Sequence, residues 1–404
     1  MALGEERLPR SYFQFWTSAT VSALGDGIRV AAIPLLAASS TREPSEIAVV
    51  TAAGFLPWPL LGLLGGAISD RFERRQLMWI VNGSRALVVA LAALTVLHMG
   101  TIPIPLLASL AFVLGAAETV YDNAAIGFLA RLVPTDLLSH ANSRLYTSQL
   151  SATQLIGPPL GGLLFTVGAA LPFALDSASF AISSVLILLV PHTPAGPARP
   201  EKNLRRDIIE GLVWLWKSPT LRAMAAITTA LGAVTGALLA MLVIYAREEL
   251  HLTSTGYGLL LGAFAIGSIG GALAAPRIMR ARPLPEVLTG TVVVTAGIFA
   301  ALASTSNAIT ASALLAALGV VVSTWNVASV TTRQQLVPNA LLGRVSSAYR
   351  ASALTFTTIG ALASGILTGE TSVATTLWAC SGVALLGLAI GIRGLLQMAT
   401  TPSR

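Results

Sequence analysis

The sequence predicts an all-α membrane protein of twelve transmembrane helices, built as two six-helix bundles related by a parallel repeat. Three observations predict it. The chain of 404 residues is 54% hydrophobic and only 11% charged, whereas soluble domains are about a quarter charged. Apolar runs of about 20 residues recur along it, each long enough at about 1.5 Å per residue to cross a roughly 30 Å hydrocarbon core. Segments of the first half also return in the second at a near-constant offset.

Hydropathy places the spans at Phe13–Ala38, Ile47–Ser69, Leu77–Met99, Pro103–Leu129, Leu145–Val167 and Leu171–Val190 in the first half. Those of the second half fall at Leu221–Ala246, Gly256–Ile278, Val287–Ser304, Ile309–Thr331, Val345–Leu367 and Val373–Leu396. An even number puts both ends on one side, and charge says which. Of the 25 Lys and Arg, Arg42 and Arg247 alone fall in turns on the far side, and Arg29 and Arg85 lie within spans. The remainder share the side of the N-terminus, which by the positive-inside rule is the cytoplasm.

The longest break, Pro191 to Pro219, is rich in Pro and in Lys and Arg. Within it Leu204, Ile208, Ile209, Leu212, Val213 and Trp216 share one helical face, with Arg205, Arg206 and Asp207 opposite. This pattern predicts an amphipathic helix on the inner leaflet, with Trp214 and Trp216 at headgroup level. The expected organisation is therefore an N-terminal bundle over 1–190, a cytoplasmic linker over 191–219 and a C-terminal bundle over 220–404.

The repeat pairs Leu114-Gly115 with Leu318-Gly319, Leu132-Val133-Pro134 with Leu336-Val337-Pro338, and Leu137-Leu138 with Leu341-Leu342. Gly65-Gly66-Ala67 pairs with Gly270-Gly271-Ala272. Both copies begin on the same side, so the repeat is parallel. Secondary transporters of this build place substrate near the midplane between the halves.

A charge inside the bilayer is costly, which makes each one a functional candidate. Asp26 lies near the middle of the first span with Arg29 at i+3, and the flanking Gly25 and Gly27 are placed to open the helix locally. Glu118 and Asp122, at i and i+4, share a face of the fourth span. Arg85 falls near the middle of the third. Two carboxylates one turn apart in a low dielectric disfavour double ionisation, which suits them to load and release a proton. Polar residues also join helices structurally, and that reading stays open for each acid. Asp176 lies near the outer end of the sixth span and reads as interfacial. Across the repeat Asp122 meets Asn326, Glu118 meets Val322, Asp70 meets Ala275 and Asp26 meets Ala233, approximately. The second half has lost these acids, so coupling is expected in the first half, at Asp26, Glu118, Asp122, Arg29 and Arg85. The second half then shapes the pocket. Tyr121, paired with Trp325 across the repeat, joins Gln149, Gln154 and Asn326 as candidate pocket residues.

The turn after the second span, Gly66-x-x-x-Asp70-Arg71-x-x-Arg74-Arg75, resembles the loop signature of the major facilitator superfamily of secondary transporters. The resemblance implies a cytoplasmic gate formed by Gly66, Asp70, Arg71, Arg74 and Arg75. Glu73 departs from it, standing where the family usually has glycine. In the fifth span Gly157-Pro158-Pro159-Leu160-Gly161-Gly162 resembles the Gly-Pro-x-x-Gly-Gly element of the antiporter branch, with Thr153 in place of the usual first glycine. Proline removes a backbone donor there and predicts a kink at Gly157, Pro158, Gly161 and Gly162. Ala130-Arg131-Leu132-Val133-Pro134, Phe173 to Phe180 and Gly211-Leu212-Val213-Trp214 look like the bacterial macrolide-efflux and enterobactin-exporter branch. Many drug/proton antiporters carry an arginine early in the fourth span, and this chain has none between Thr101 and Ala130.

Several function classes are excluded. There is no Gly-x-x-x-x-Gly-Lys phosphate loop, so ATP drive from this chain is not expected. A lone cysteine, Cys380, supports neither a disulfide framework nor a cysteine metal site. His98, His140, His192 and His251 fall at span ends or in turns and form no ligand pair. The isoelectric point near 10.2 reflects topology signals, which argues against nucleic-acid binding. No cleavable signal peptide is apparent. The expectation is a non-enzymatic, monomeric exporter in a bacterial inner membrane, without cofactor, moving amphipathic small molecules against proton entry. The alternatives are a dedicated exporter of one metabolite such as a siderophore, or a lipid flippase.

Overall fold

In the computed structural model the chain is helical throughout its spans. The structure describes residues 8–62, 71–191 and 213–400. Gly66 and Asp70 of the expected gate lie outside the described residues, as does the linker helix up to Leu212.

Among the described residues, 12 helices are long and apolar enough to cross a membrane. They are α1 (Arg10–Ser40), α2 (Pro44–Gly62), α3 (Arg74–Met99), α4 (Ile104–Leu132), α5 (Leu138–Val167), α6 (Leu171–Leu189), α7 (Pro219–Glu249), α8 (Ser254–Ala281), α9 (Leu284–Ala303), α10 (Ala308–Leu336), α11 (Leu341–Glu370) and α12 (Val373–Gln397). Several outrun the apolar runs that predicted them, because a helix continues past the hydrocarbon once its ends are polar. Leu87, Leu91 and Leu94 stay exposed on α3, which is the surface a bilayer takes in place of water.

Contacts divide the chain into two compact units. One comprises α1, the end of α2 from Leu60, α3 to α6 and Ser254–Gly258; the other comprises Thr41–Pro59, α7, α8 from Leu259, and α9 to α12. In the first, α6 packs against both α1 and α3. Its core gathers Tyr12, Phe15, Met78, Tyr121 and Phe128, and the Tyr12 hydroxyl donates to the Ala141 carbonyl at 3.0 Å. In the second, α7 packs on α11 and α12. Trp214 rests on a small cluster of Leu221, Val337 and Val345, while Trp216 is exposed.

Two local features position side chains in the first unit. Glu73 caps α3, its carboxylate accepting from the Gln76 amide at 2.9 Å, so the departure from glycine serves the helix start. Arg75 donates to the carbonyls of Ile187 at 3.2 Å and Leu188 at 2.5 Å, meeting the negative end of α6. Arg74 donates to the Gly127 carbonyl on α4 at 2.9 Å. These two arginines thus tie the start of α3 to α4 and α6, whereas Arg71 is exposed.

The second feature is a π-turn over Ser151–Ile156 in α5, closed by the Gly157 amide donating to the Ala152 carbonyl. The irregularity ends at Ile156, just ahead of Pro158, rather than centring on the proline. From there the glycines meet α1 backbone to backbone. A Cβ on Gly157 would stand 2.5 Å from Gly27 Cα, and one on Gly161 would stand 2.3 Å from the Ile28 carbonyl oxygen. One on Gly162 would meet the Ser254 carbonyl oxygen at 2.3 Å.

Candidate functional site

The crossing of α1, α3, α4 and α6 holds a group of buried charges. Asp26 Oδ1 accepts from Arg29 Nη2 at 2.5 Å and from Arg85 Nη2 at 2.6 Å. Arg29 also stands 3.2 Å from Asp176 Oδ2 and 3.8 Å from Glu118 Oε2. One guanidinium on α1 therefore faces acids from α1, α4 and α6. Arg85, 2% exposed, lies with its Cζ 3.9 Å from the centroid of Phe180. It also approaches Asn82 Oδ1 at 3.5 Å, and the Asn82 amide donates to Ser183 Oγ at 2.8 Å. A cation stacked on a ring and hydrogen-bonded on its edge is held in one orientation.

Asp176 departs from the sequence reading. It is buried at 0% exposure, inside the protein rather than at an interface. Its two carboxylate oxygens are buried acceptors without a hydrogen-bond partner among the described residues, since Arg29 Nε approaches off the bonding angle. Glu118 is the most open of the cluster, with 34% side-chain exposure. Asp122 is half-buried one turn further along α4.

Gly25 and Gly27 also act differently from the sequence expectation. α1 runs unbroken through both. Gly25 leaves room for α6, since a Cβ there would stand 2.0 Å from Ser179 Oγ and 2.5 Å from Asp176 Oδ1. Gly27 admits the π-turn, since a Cβ there would stand 2.7 Å from the Ala152 and Thr153 carbonyl oxygens. The glycines pack the charged turn of α1 against α5 and α6 without opening the helix.

The pocket candidates separate. Tyr121 is 3% exposed in the core of the first unit. On α5, Gln149 is half-buried and Gln154 exposed. Trp325 and Asn326 line a cavity of about 370 Å³ inside the second unit. Helices α7 to α11 wall this cavity, chiefly with leucine, valine and phenylalanine. Beside it Trp325 Nε1 donates to Thr228 Oγ1 at 3.2 Å. Among the described residues no group of His, Cys, Asp and Glu could hold a metal ion.

Residues 8–402 match the family model of transmembrane secretion effectors within the major facilitator superfamily. The chain belongs to this family. The multidrug efflux pump Tap of Mycolicibacterium fortuitum is 27% identical over 222 residues, which cover 52% of this chain and 53% of Tap. The chain thus spans about half the length of that relative. The enterobactin exporter EntS of Citrobacter koseri is 25% identical over 381 residues, 91% of this chain and 88% of EntS. The fold is that of solved major facilitator transporters. A bacterial homologue of the iron transporter ferroportin has a TM-score of 0.77 at 18% identity, over 96% of this chain and all of that one. A bacterial homologue of the lysosomal transporter Spinster has 0.76 at 12%, over 99% of this chain and all of that one.

Proposed function

We propose that this multi-pass membrane protein exports amphipathic small molecules by alternating access, driven by proton entry, with both termini in the bacterial cytoplasm. Membership of a secretion family and the two exporter relatives support the direction of transport. The observation that carries proton coupling is the buried cluster. Asp26, Asp176 and Glu118 share Arg29 and Arg85, which leaves one carboxylate in surplus when all five are ionised. A surplus charge in a low dielectric is relieved by binding a proton or by moving.

Arg29 is the shared partner. A proton on Asp176 or Glu118 removes one of its three acids and leaves it to Asp26 and the other. Because these acids sit on α6 and α4, protonation changes which helices the guanidinium binds to α1. Glu118, the most open acid, is where the proton enters, and Asp176, whose oxygens accept no hydrogen bond among the described residues, is where it rests. Arg85, stacked on Phe180, keeps its hold on Asp26 from α3. A second reading, export of one dedicated siderophore-like metabolite, draws on EntS matching 91% of the chain where Tap matches 52%.

The test uses proteoliposomes with an imposed pH gradient and a record of internal pH while substrates are added. Proton flux with several unrelated amphipathic drugs supports the multidrug reading, and flux with a catecholate siderophore alone supports the dedicated one. If Asp26→Asn, Glu118→Gln, Asp122→Asn and Asp176→Asn all keep full substrate-linked flux, proton coupling through these acids is wrong.

A further inference from the structure

The cavity of the second unit has a donor and acceptor pattern of its own. No charged residue is among those lining it. Its hydroxyls come from threonines whose protons already have destinations. Thr235 donates to the Leu231 carbonyl at 2.8 Å, Thr291 to Leu288 at 2.8 Å, Thr295 to Thr291 at 2.8 Å and Thr357 to Ala353 at 3.0 Å. A hydroxyl has one proton and two lone pairs. Each threonine that satisfies its own helix therefore faces the cavity as an acceptor only. The Trp325 indole N–H is also in use, on Thr228 Oγ1. Asn326, which is exposed, still brings an amide to the lining.

We propose that this cavity is a ligand site for an uncharged apolar group bearing hydrogen-bond donors, such as a phenolic ring or an aromatic N–H. A ligand acceptor entering it loses water and finds threonines that have no proton to give, with the exposed Asn326 amide as the one side-chain donor left among the described lining residues. An anion meets no cation, and a cation no acid. The volume of about 370 Å³ admits a fused two-ring group, and Phe264, Phe299 and Trp325 offer it aromatic surface. The proposal rests on the export reading for its biological meaning and narrows the substrate to donor-bearing aromatics. A phosphate headgroup, which offers acceptors only, is disfavoured.

The probes are 1-naphthol and 1-methoxynaphthalene, which differ in shape by one methyl and in chemistry by the donor. Binding to the full-length protein in detergent micelles is measured by calorimetry against protein-free micelles. We expect 1-naphthol to bind about five- to tenfold more tightly than the ether, the worth of one net hydrogen bond. Thr295→Val or Thr291→Val, each near-isosteric, should bring the two affinities together by weakening 1-naphthol and leaving the ether unchanged. Equal binding in the parent protein, an undiminished preference in both variants, or no saturable binding overturns the proposal. Such failure leaves substrate-linked proton flux untouched, and loss of that flux would leave saturable naphthol binding untouched, so the two readings fail separately.

Discussion

Gly25→Ala is the sharpest probe of how the charge cluster is packed. The added methyl would lie 2.0 Å from Ser179 Oγ, 2.5 Å from Asp176 Oδ1 and 3.0 Å from Ser179 Cβ. The Ser179 hydroxyl is bonded to the Asp176 carbonyl at 2.7 Å and Asp176 faces Arg29, so neither yields freely. Forcing one methyl into a filled core costs about 1–3 kcal/mol. The control is Gly297→Ala on α9, where nothing lies within 4 Å of the new Cβ. Both variants gain up to about 1 kcal/mol of helix propensity, so their difference isolates the clash. Thermal unfolding of both in the same micelles should place Gly25→Ala several degrees below Gly297→Ala. Adding Ser179→Ala removes the nearest atom but leaves Asp176, and should restore part of the loss. If Gly25→Ala melts at or above the control, α1 and α6 are not packed as described, and the burial of Asp176 loses its support.

Arg75→Gln should lower stability by about 0.5–1.5 kcal/mol by removing its hydrogen bonds to two α6 carbonyls, while Arg71→Gln, at an exposed site, should leave the melting temperature unchanged. Gly161→Ala should destabilise by about 1–3 kcal/mol or more, because its methyl meets a main-chain oxygen of Ile28 that has no rotamer to escape to; melting equal to the parent would refute that contact. Asp176→Asn, uncharged and of the same shape, should abolish substrate-linked proton flux yet melt within a few degrees of the parent. Arg85→Met leaves Asp26 with one cation fewer and should cost about 3–5 kcal/mol, much of it recovered in the Arg85→Met, Asp26→Asn double variant.

The spans were legible because a bilayer demands a fixed apolar length, and that demand is written residue by residue. Helix ends were less so: α5 begins at Leu138, before the apolar run at Leu145, because a helix outside the hydrocarbon need not be apolar. Asp26, Arg29, Glu118 and Arg85 stood out by depth alone, and the structure brings these four together. Asp176 escaped because depth along one helix says nothing about neighbours. Its burial comes from α1, at Gly25, which the sequence offers as a helix-opening residue. The legible signal was the glycine beside Asp26, read as flexibility when it marked close approach. The cavity was only partly legible: Trp325 and Asn326, singled out through the repeat, stand in its lining, but its walls come from five helices and carry no charge.

The π-turn in α5 amounts to one residue inserted into an otherwise regular ladder. At 3.6 residues per turn, one residue is about 100° of phase. The stretch that carries Ala141 and Leu145 into the core and the stretch that carries Gly157 and Gly161 onto α1 are therefore set independently, as two keys cut on one shaft. Pro158 follows directly, where a missing amide makes the mismatch in the ladder cheap to hold. Deleting one residue between Ser151 and Ile156 would restore a uniform helix and turn one key out of its lock.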